Sequence, residues 1–399
     1  ATNAIGQIGI MGVTTLQAWR LSFYFGAVFA VVGVMAPFWP VFLKARGLSA
    51  TEIGLLLSAG LWLRVLTNPL IAQLADRRGE RRRPLLLLTT MAMLGFSCFL
   101  FAKGFWGLLL VNLVASVAFS SIIPLGETVV LGAVYRLKLD YGRLRIWGSV
   151  TFIATSAAGG PMLAAFGSWS VLWAILALMT VVLLACALLP DERPGDKQIP
   201  ARSGAVGRLL RQPVFLLFLL AGGLGNASHA VLFGFATLHW RSVGFSDVLI
   251  GALWAEGVVA EIILFWLGNR LLSRFGAANL LVLGALAGIM RWSAMGLSDA
   301  LWLALLTQGL HAFTFGAAHL GAMHFIARAT PPEMSATAQS LHGAVGAGIA
   351  VGLVMAVAGL LYQEFANGAY LFMAGIAAGS LVAGLLLAKT WDGKPMNLS

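Results

Sequence analysis

Residues 169–189 read WSVLWAILALMTVVLLACALL, and residues 190–211 follow with PDERPGDKQIPARSGAVGRLLR. The first stretch carries no charge and, as a helix rising 1.5 Å per residue, crosses about 30 Å of hydrocarbon. The second is the longest polar segment in the chain, and Pro190, Pro194 and Pro200 break helix within it. Apolar stretches of the same length recur on both sides. Before the polar segment they lie at 21–43, 50–75, 85–102, 106–134, 146–166 and 169–189; after it at 212–238, 247–269, 277–297, 300–327, 335–361 and 367–388. The pattern predicts an all-α membrane protein of 12 transmembrane helices in two six-helix halves, 1–189 and 212–399, joined by the linker 190–211. Six plus six about a central linker is the organisation of a transporter built from two parallel repeats.

Composition agrees. Of 399 residues, 59% are hydrophobic and 10% charged, and mean hydropathy is +0.89. A soluble domain carries about 25% charged residues; with so few, this chain has no polar coat for its apolar surface. Disorder, coiled coil and disulfide scaffold are excluded. Cys98 and Cys186 both sit in apolar runs, with no metal spacing and no disulfide framework. Residues 1–19 hold no Lys or Arg, so a cleaved signal peptide is not expected.

The 26 Lys and Arg against 15 Asp and Glu leave a net charge of +11. In a soluble chain this points to nucleic acid. Here the positions decide otherwise. With a cytoplasmic N-terminus, twenty basic residues fall in inner loops, among them Arg77 to Arg83, Arg136 to Arg145 and Arg193 to Arg211. Only Lys44, Lys103, Arg46 and Arg241 fall in outer loops, and Arg64 and Arg291 lie within spans. The bias places both termini in the cytoplasm and makes the lipid bilayer, rather than nucleic acid, the partner. The cytoplasmic (inner) membrane of a bacterium is the expected location, with the protein a monomer.

Leu70 to Arg83 includes Ala75-Asp76-Arg77-Arg78-Gly79 and resembles the loop between spans 2 and 3 in the major facilitator superfamily. It departs at Ala72, where that family has Gly, and at Glu80, where it has a basic residue. The corresponding segment after span 8 reads Leu271-Leu272-Ser273-Arg274-Phe275-Gly276, and both are expected to be tight turns. The resemblance implies gating roles for Asp76, Arg77 and Gly79. Asp140 to Ser149 at the entrance to span 5 looks like the branch containing the phenylpropionate permease, the nucleoside–proton symporters and lactose permease. Ser228-His229-Ala230, the run from Leu253 to Glu261, Arg291-Trp292 and the run from His311 to His319 are similar to the phenylpropionate permease group.

Charges inside the spans carry the functional reading, because each costs at least about 2.5–3.5 kcal/mol at bilayer depth. Arg64, Glu256 and Arg291 lie about 18–22 Å from the cytoplasmic ends of their helices. Glu127, Glu261 and His319 form a second level at about 12–13 Å. Two such polar layers suit a central cavity that opens alternately. Spans 8 and 9 are short-looped neighbours, so Glu256 and Arg291 are expected to pair, and a carboxylate beside an Arg takes or releases a proton as that partner moves. Glu127 and Arg145 are the next expected pair. By resemblance to lactose permease they contact substrate, with Phe152 two turns beyond Arg145 as the aromatic wall.

All six histidines follow residue 228. His311 and His319 are eight residues apart on overlapping faces of span 10 with Phe315 between them. They join Glu256, Glu261 and Arg291 as proton-coupling candidates. Arg64, Glu127, Arg145, Phe152, His229 and Trp254 are the substrate-binding candidates. His324 and His342 are read as structural.

The expectation is a proton-coupled symporter of a small solute, by resemblance an aromatic acid such as 3-phenylpropionate. A sugar or nucleoside symporter and a drug-efflux antiporter are the alternatives. An enzyme is not expected: no nucleophile–base arrangement, zinc motif or phosphate loop is present in the sequence, and no cofactor is implied.

Overall fold

The computed structural model describes residues 2–78, 80–190 and 204–397, and of 2–14 and 76–78 the backbone alone. Among the described residues every regular element is helical. Ten helical stretches are long and apolar enough to cross a membrane. Two features account for the difference from twelve. The third span is 17 residues long, and the stretch Pro332–Thr390 folds back on itself at a 3-10 turn, Ala366–Gly368.

The chain forms two compact units, Ala1–Arg46 with Leu66–Gln198, and Gly47–Val65 with Ile199–Ser399. The helices are α1 (Thr2–Ala45), α2 (Ala50–Arg78), α3 (Arg82–Cys98), α4 (Gly104–Leu137), α5 (Tyr141–Phe166) and α6 (Trp169–Leu188). They continue with α7 (Ala205–Leu210), α8 (Pro213–Ala227), α9 (Ala230–Ser242), α10 (Asp247–Trp266), α11 (Gly268–Phe275) and α12 (Ala277–Leu297). The last are α13 (Leu301–Gly309), α14 (Ala318–Ala329), α15 (Pro332–His342), α16 (Val351–Phe365) and α17 (Ala369–Thr390).

In the first unit α1 packs along α5 and α6, and α3 along α4 and α6. Water does not drive helices together inside a bilayer, so close packing must, and small residues permit it. At Gly33 a Cβ would stand 2.7 Å from the carbonyl oxygen of Phe152, so α1 and α5 meet there backbone to backbone. At Gly126 a Cβ would collide with the hydroxyl of Tyr24. The missing side chain gives that phenol its place, and it donates to the Ile122 carbonyl at 2.7 Å. Arg46, expected from sequence in an outer loop, donates to the carbonyls of Phe99 (2.6 Å) and Ala102. It thereby satisfies acceptors that the end of α3 leaves open.

In the second unit α12 lies against α17 and α14, and α8 against α17. One end is filled by a cluster that includes Phe215, Phe218, Phe325, Met334 and Leu387. The first part of α2 belongs to this unit, where Ser58 donates to the Gly352 carbonyl at 2.7 Å.

Three expectations are corrected. Span 7 is not one continuous helix. It breaks at Ser228 and His229 between α8 and α9, and His229 N–H turns back to the Asn226 carbonyl at 3.1 Å. Span 10 contains a π-helical turn, Ala312–Ala317, and span 11 another, Gly343–Ala350. The segment 271–276 is helix up to Phe275, and only Gly276, at φ 75°, makes the turn. Of the expected gating residues, Gly79 and the side chains of Asp76 and Arg77 lie outside the described residues, as does most of the linker, 191–203.

Candidate functional site

The second unit has Arg291 at its centre. Its side chain on α12 is fully buried, yet its partners are neutral. One terminal nitrogen donates to His311 Nδ1 at 3.1 Å and Thr314 Oγ1 at 3.0 Å, and the other to Gln308 Oε1 at 3.0 Å. The guanidinium lies 4.7 Å from the Trp292 ring centroid. Its Nε is buried without a hydrogen-bond partner. Among the described residues no carboxylate comes within ion-pair distance of it. The expected Glu256–Arg291 ion pair is therefore not formed in this structure. Glu256 is half-buried on α10 and reaches Arg291 only through the longer-range attraction of opposite charges. The reason is geometric. Gln308, His311 and Thr314 repeat every three residues along span 10, so one helix face presents three acceptors to the guanidinium fork.

The donors set the proton positions. Arginine only donates, so His311 Nδ1 accepts and its ring proton sits on Nε2. That nitrogen faces Glu261 Oε2 at 3.9 Å. Thr314 accepts from Arg291, and its hydroxyl proton points to His229 Nε2 at 3.1 Å, with the His311 carbonyl a longer acceptor at 3.4 Å. His229 Nδ1 in turn donates to the Gly225 carbonyl at 3.0 Å, joined there by Ser228 Oγ at 2.7 Å. The helix break that frees this carbonyl thus places His229 at the network. The buried groups are linked in one chain, which is where low dielectric makes each bond count most.

His311, Phe315 and His319 stack, with ring centroids 5.4 and 6.2 Å apart and planes within 11° and 4°. The π turn lies within this ladder; such turns recur at functional sites. Trp254 is buried, donates to Thr237 Oγ1 at 3.0 Å and stacks on Phe233 at 6.4 Å. Arg64 donates to the Ala347 carbonyl in the other π turn. It is thus set apart from the Arg291 network in its bonding.

The first unit carries a smaller polar group. Glu127 on α4 accepts from the Tyr141 hydroxyl at the start of α5. Arg145 lies over the Phe29 ring at 3.8 Å from its centroid and beside Phe25 at 5.6 Å. Phe25 meets Tyr141 edge to face at 6.0 Å. Phe152 is half-buried two turns further along α5, its backbone against Gly33. Tyr141, Phe25 and Phe29 were not expected from sequence, nor were Gln308 and Thr314. The last two carried a readable signal, as polar residues three positions either side of His311; the aromatics of α1 carried none.

Residues 18–374 match the family described as MFS_1 like family. The chain is 34% identical over 368 residues to the "Probable 3-phenylpropionic acid transporter" of Escherichia coli (strain K12), covering 90% of this chain and 94% of that protein. It is 29% identical over 375 residues to the "Maltose permease" of Geobacillus stearothermophilus, covering 92% and 93%. Among solved structures, the nucleoside transporter NupG matches with a TM-score of 0.81 at 17% identity, over 94% of this chain and 100% of that one. The expected major facilitator fold is therefore present, and the chain is a multi-pass membrane protein that transports small molecules. The protein belongs to the MFS_1-like family of the major facilitator superfamily.

Proposed function

We propose that the protein is a proton-coupled symporter of an aromatic carboxylic acid such as 3-phenylpropionate, working by alternating access of its two six-helix halves. It works as a monomer in the bacterial cytoplasmic membrane, with both termini in the cytoplasm. The observation that carries the coupling is the buried Arg291, held by neutral acceptors, with His311 bridging toward Glu261. With Glu256 and Glu261 ionised, this cluster holds one positive and two negative charges. A net charge is penalised when its surroundings turn away from water. One added proton neutralises the cluster, so reorientation is favoured only after protonation.

Arg145 supports the carboxylate. It is a cation held against the Phe25 and Phe29 rings, and Phe25 in turn meets the Tyr141 that donates to Glu127. A ring-bearing acid has a charge for the guanidinium and a ring for the Phe25 and Phe29 walls. The relative described as a probable 3-phenylpropionic acid transporter supports the same substrate class.

The test is accumulation of radiolabelled 3-phenylpropionate, nucleosides and sugars by cells expressing the chain, with and without a protonophore. Protonophore-sensitive accumulation of the aromatic acid alone is expected. Accumulation of a sugar or nucleoside that ignores carboxylates overturns the substrate. Extrusion under an inward proton gradient overturns import and identifies an efflux antiporter.

A further inference from the structure

The second unit holds a cavity of about 40 Å³ beside the site described above, sharing Thr314, Phe315 and His319 with it. Its polar lining is Asn226 from α8, Thr314 from the π turn of span 10, His319 from α14, His342 from α15 and Ser380 from α17. It is too small for a ring-bearing solute, whose pockets run to roughly 300 Å³ or more. It is large enough for about three or four waters, each needing roughly 10–15 Å³ by the same measure.

The lining has hydrogen-bonding capacity to spare. The side chains of Asn226 and His342 bond to no described residue, and His342 Nδ1 is buried without a partner. Thr314 turns its proton toward His229, with the His311 carbonyl at 3.4 Å, and one lone pair toward Arg291, leaving a second lone pair. Ser380 donates to the Ala221 carbonyl at 2.7 Å and can still accept. A buried water requires two to four such partners. The packing also aims His342 here. A Cβ at Gly222 would stand 2.7 Å from His342 Cε1, so this glycine admits the imidazole to the wall. Phe218 stacks on its other side at 5.0 Å, and His319 is the titratable group facing it.

Position gives the cavity a use. Counted along their helices from Arg328 and Pro332, His319 and His342 lie about 13–15 Å from the helix ends, and Thr314 about 21 Å. The cavity therefore begins at the two histidines and ends at a side chain that bonds Arg291 directly.

We infer that the cavity walled by Asn226, Thr314, His319 and His342 is an internal water site that carries protons between the two histidines and the Arg291 network. An excess proton on an imidazole nitrogen of His319 or His342 passes to a water and along the hydrogen-bonded waters to the open lone pair of Thr314 Oγ1, whose own hydroxyl proton moves to His229 Nε2; the reverse transfer retraces the same bonds. No bond other than O–H and N–H changes. This role rests on the proton-coupled reading above; the water site does not. His342, read from sequence as structural, becomes a relay residue.

The test uses the full chain in proteoliposomes and two variants. Ala285→Leu fills the cavity from α12 without altering a titratable group, and His342→Gln keeps an amide that cannot be protonated. Hydroxyl-radical footprinting reports the water. Oxidation of His342 and Phe315 is expected to fall several-fold in Ala285→Leu, with the exposed Phe313 unchanged. An equal oxidation rate in both proteins overturns the water site. Accumulation of 3-phenylpropionate driven by a pH gradient is expected to fall several-fold in both variants, while exchange of labelled for unlabelled substrate persists and reports folding. Footprinting as expected with gradient-driven accumulation intact overturns the proton role. A wild-type protein that exchanges but does not accumulate overturns symport itself, and footprinting still decides the water site.

Discussion

Arg291 donates to His311 Nδ1 at 3.1 Å, and this one bond places the remaining imidazole proton on Nε2, opposite Glu261 at 3.9 Å. A buried cation is thereby connected to a carboxylate through a neutral ring. Breaking the arginine's contacts leaves Gln308 and Thr314 short of a donor, which costs about 1–3 kcal/mol for each buried acceptor.

Arg291→Lys is therefore expected to fail although the charge is kept. An ammonium has no planar fork to serve three acceptors on one helix face. The loss of hydrogen bonds lowers the melting temperature of the purified protein by several degrees, at about 2–4 °C per kcal/mol for larger domains. Uptake falls at least about tenfold, the equivalent of roughly 1.4 kcal/mol. Uptake at the wild-type rate shows that the fork is dispensable.

Glu256→Gln is expected to separate accumulation from exchange. The variant loses one negative charge permanently, so the cluster no longer requires a proton to become neutral. Proton-driven accumulation is abolished and counterflow exchange continues. A mutant that still concentrates substrate against its gradient removes Glu256 from the coupling role.

Tyr141→Phe deletes the donor to Glu127 and leaves the ring that faces Phe25. A hydrogen bond to a charged group is worth about 1.5–3 kcal/mol. The expected result is a KM for the aromatic acid raised about tenfold or more, with the melting temperature within a degree or two. An unchanged KM separates the Glu127–Tyr141 pair from substrate binding.

Gly126→Ala places a methyl where the Tyr24 phenol lies, and that ring is fully buried. Overpacking costs about 1–3 kcal/mol. Thermal unfolding in detergent measures it. The double variant Gly126→Ala, Tyr24→Leu should recover part of the loss, although the bond to the Ile122 carbonyl is gone. A single variant as stable as the wild type shows that α1 and α4 can separate there at no cost.

Fold class was legible in the chain because the bilayer permits so few solutions. The uncharged run from Trp169 to Leu189 has to be a helix, since only a helix satisfies its own backbone in hydrocarbon. Repeating that run on both sides of 190–211 leaves little freedom in the helix count. The intramembrane residues stood out for the same reason: Arg291, Glu256, Glu261, His311 and His319 are costly where they are. Helix periodicity also placed Phe315 between the two histidines, and the rings do stack in that order.

What each polar group bonds to was decided by tertiary structure alone. Equal depth on adjacent spans suggested Glu256 for Arg291, but depth is one coordinate and a hydrogen bond also requires rotation about the helix axis. The break at Ser228 and His229 and the π turn at Ala312–Ala317 both alter that rotation, and neither is marked by proline. They bring His311 and Thr314 to the guanidinium and His229 to Thr314, and leave Glu256 beyond contact. Sequence determined which groups must find partners in the membrane. Packing of α10, α12 and span 10 determined which partners they found, because a change of a fraction of a turn exchanges one polar neighbour for another.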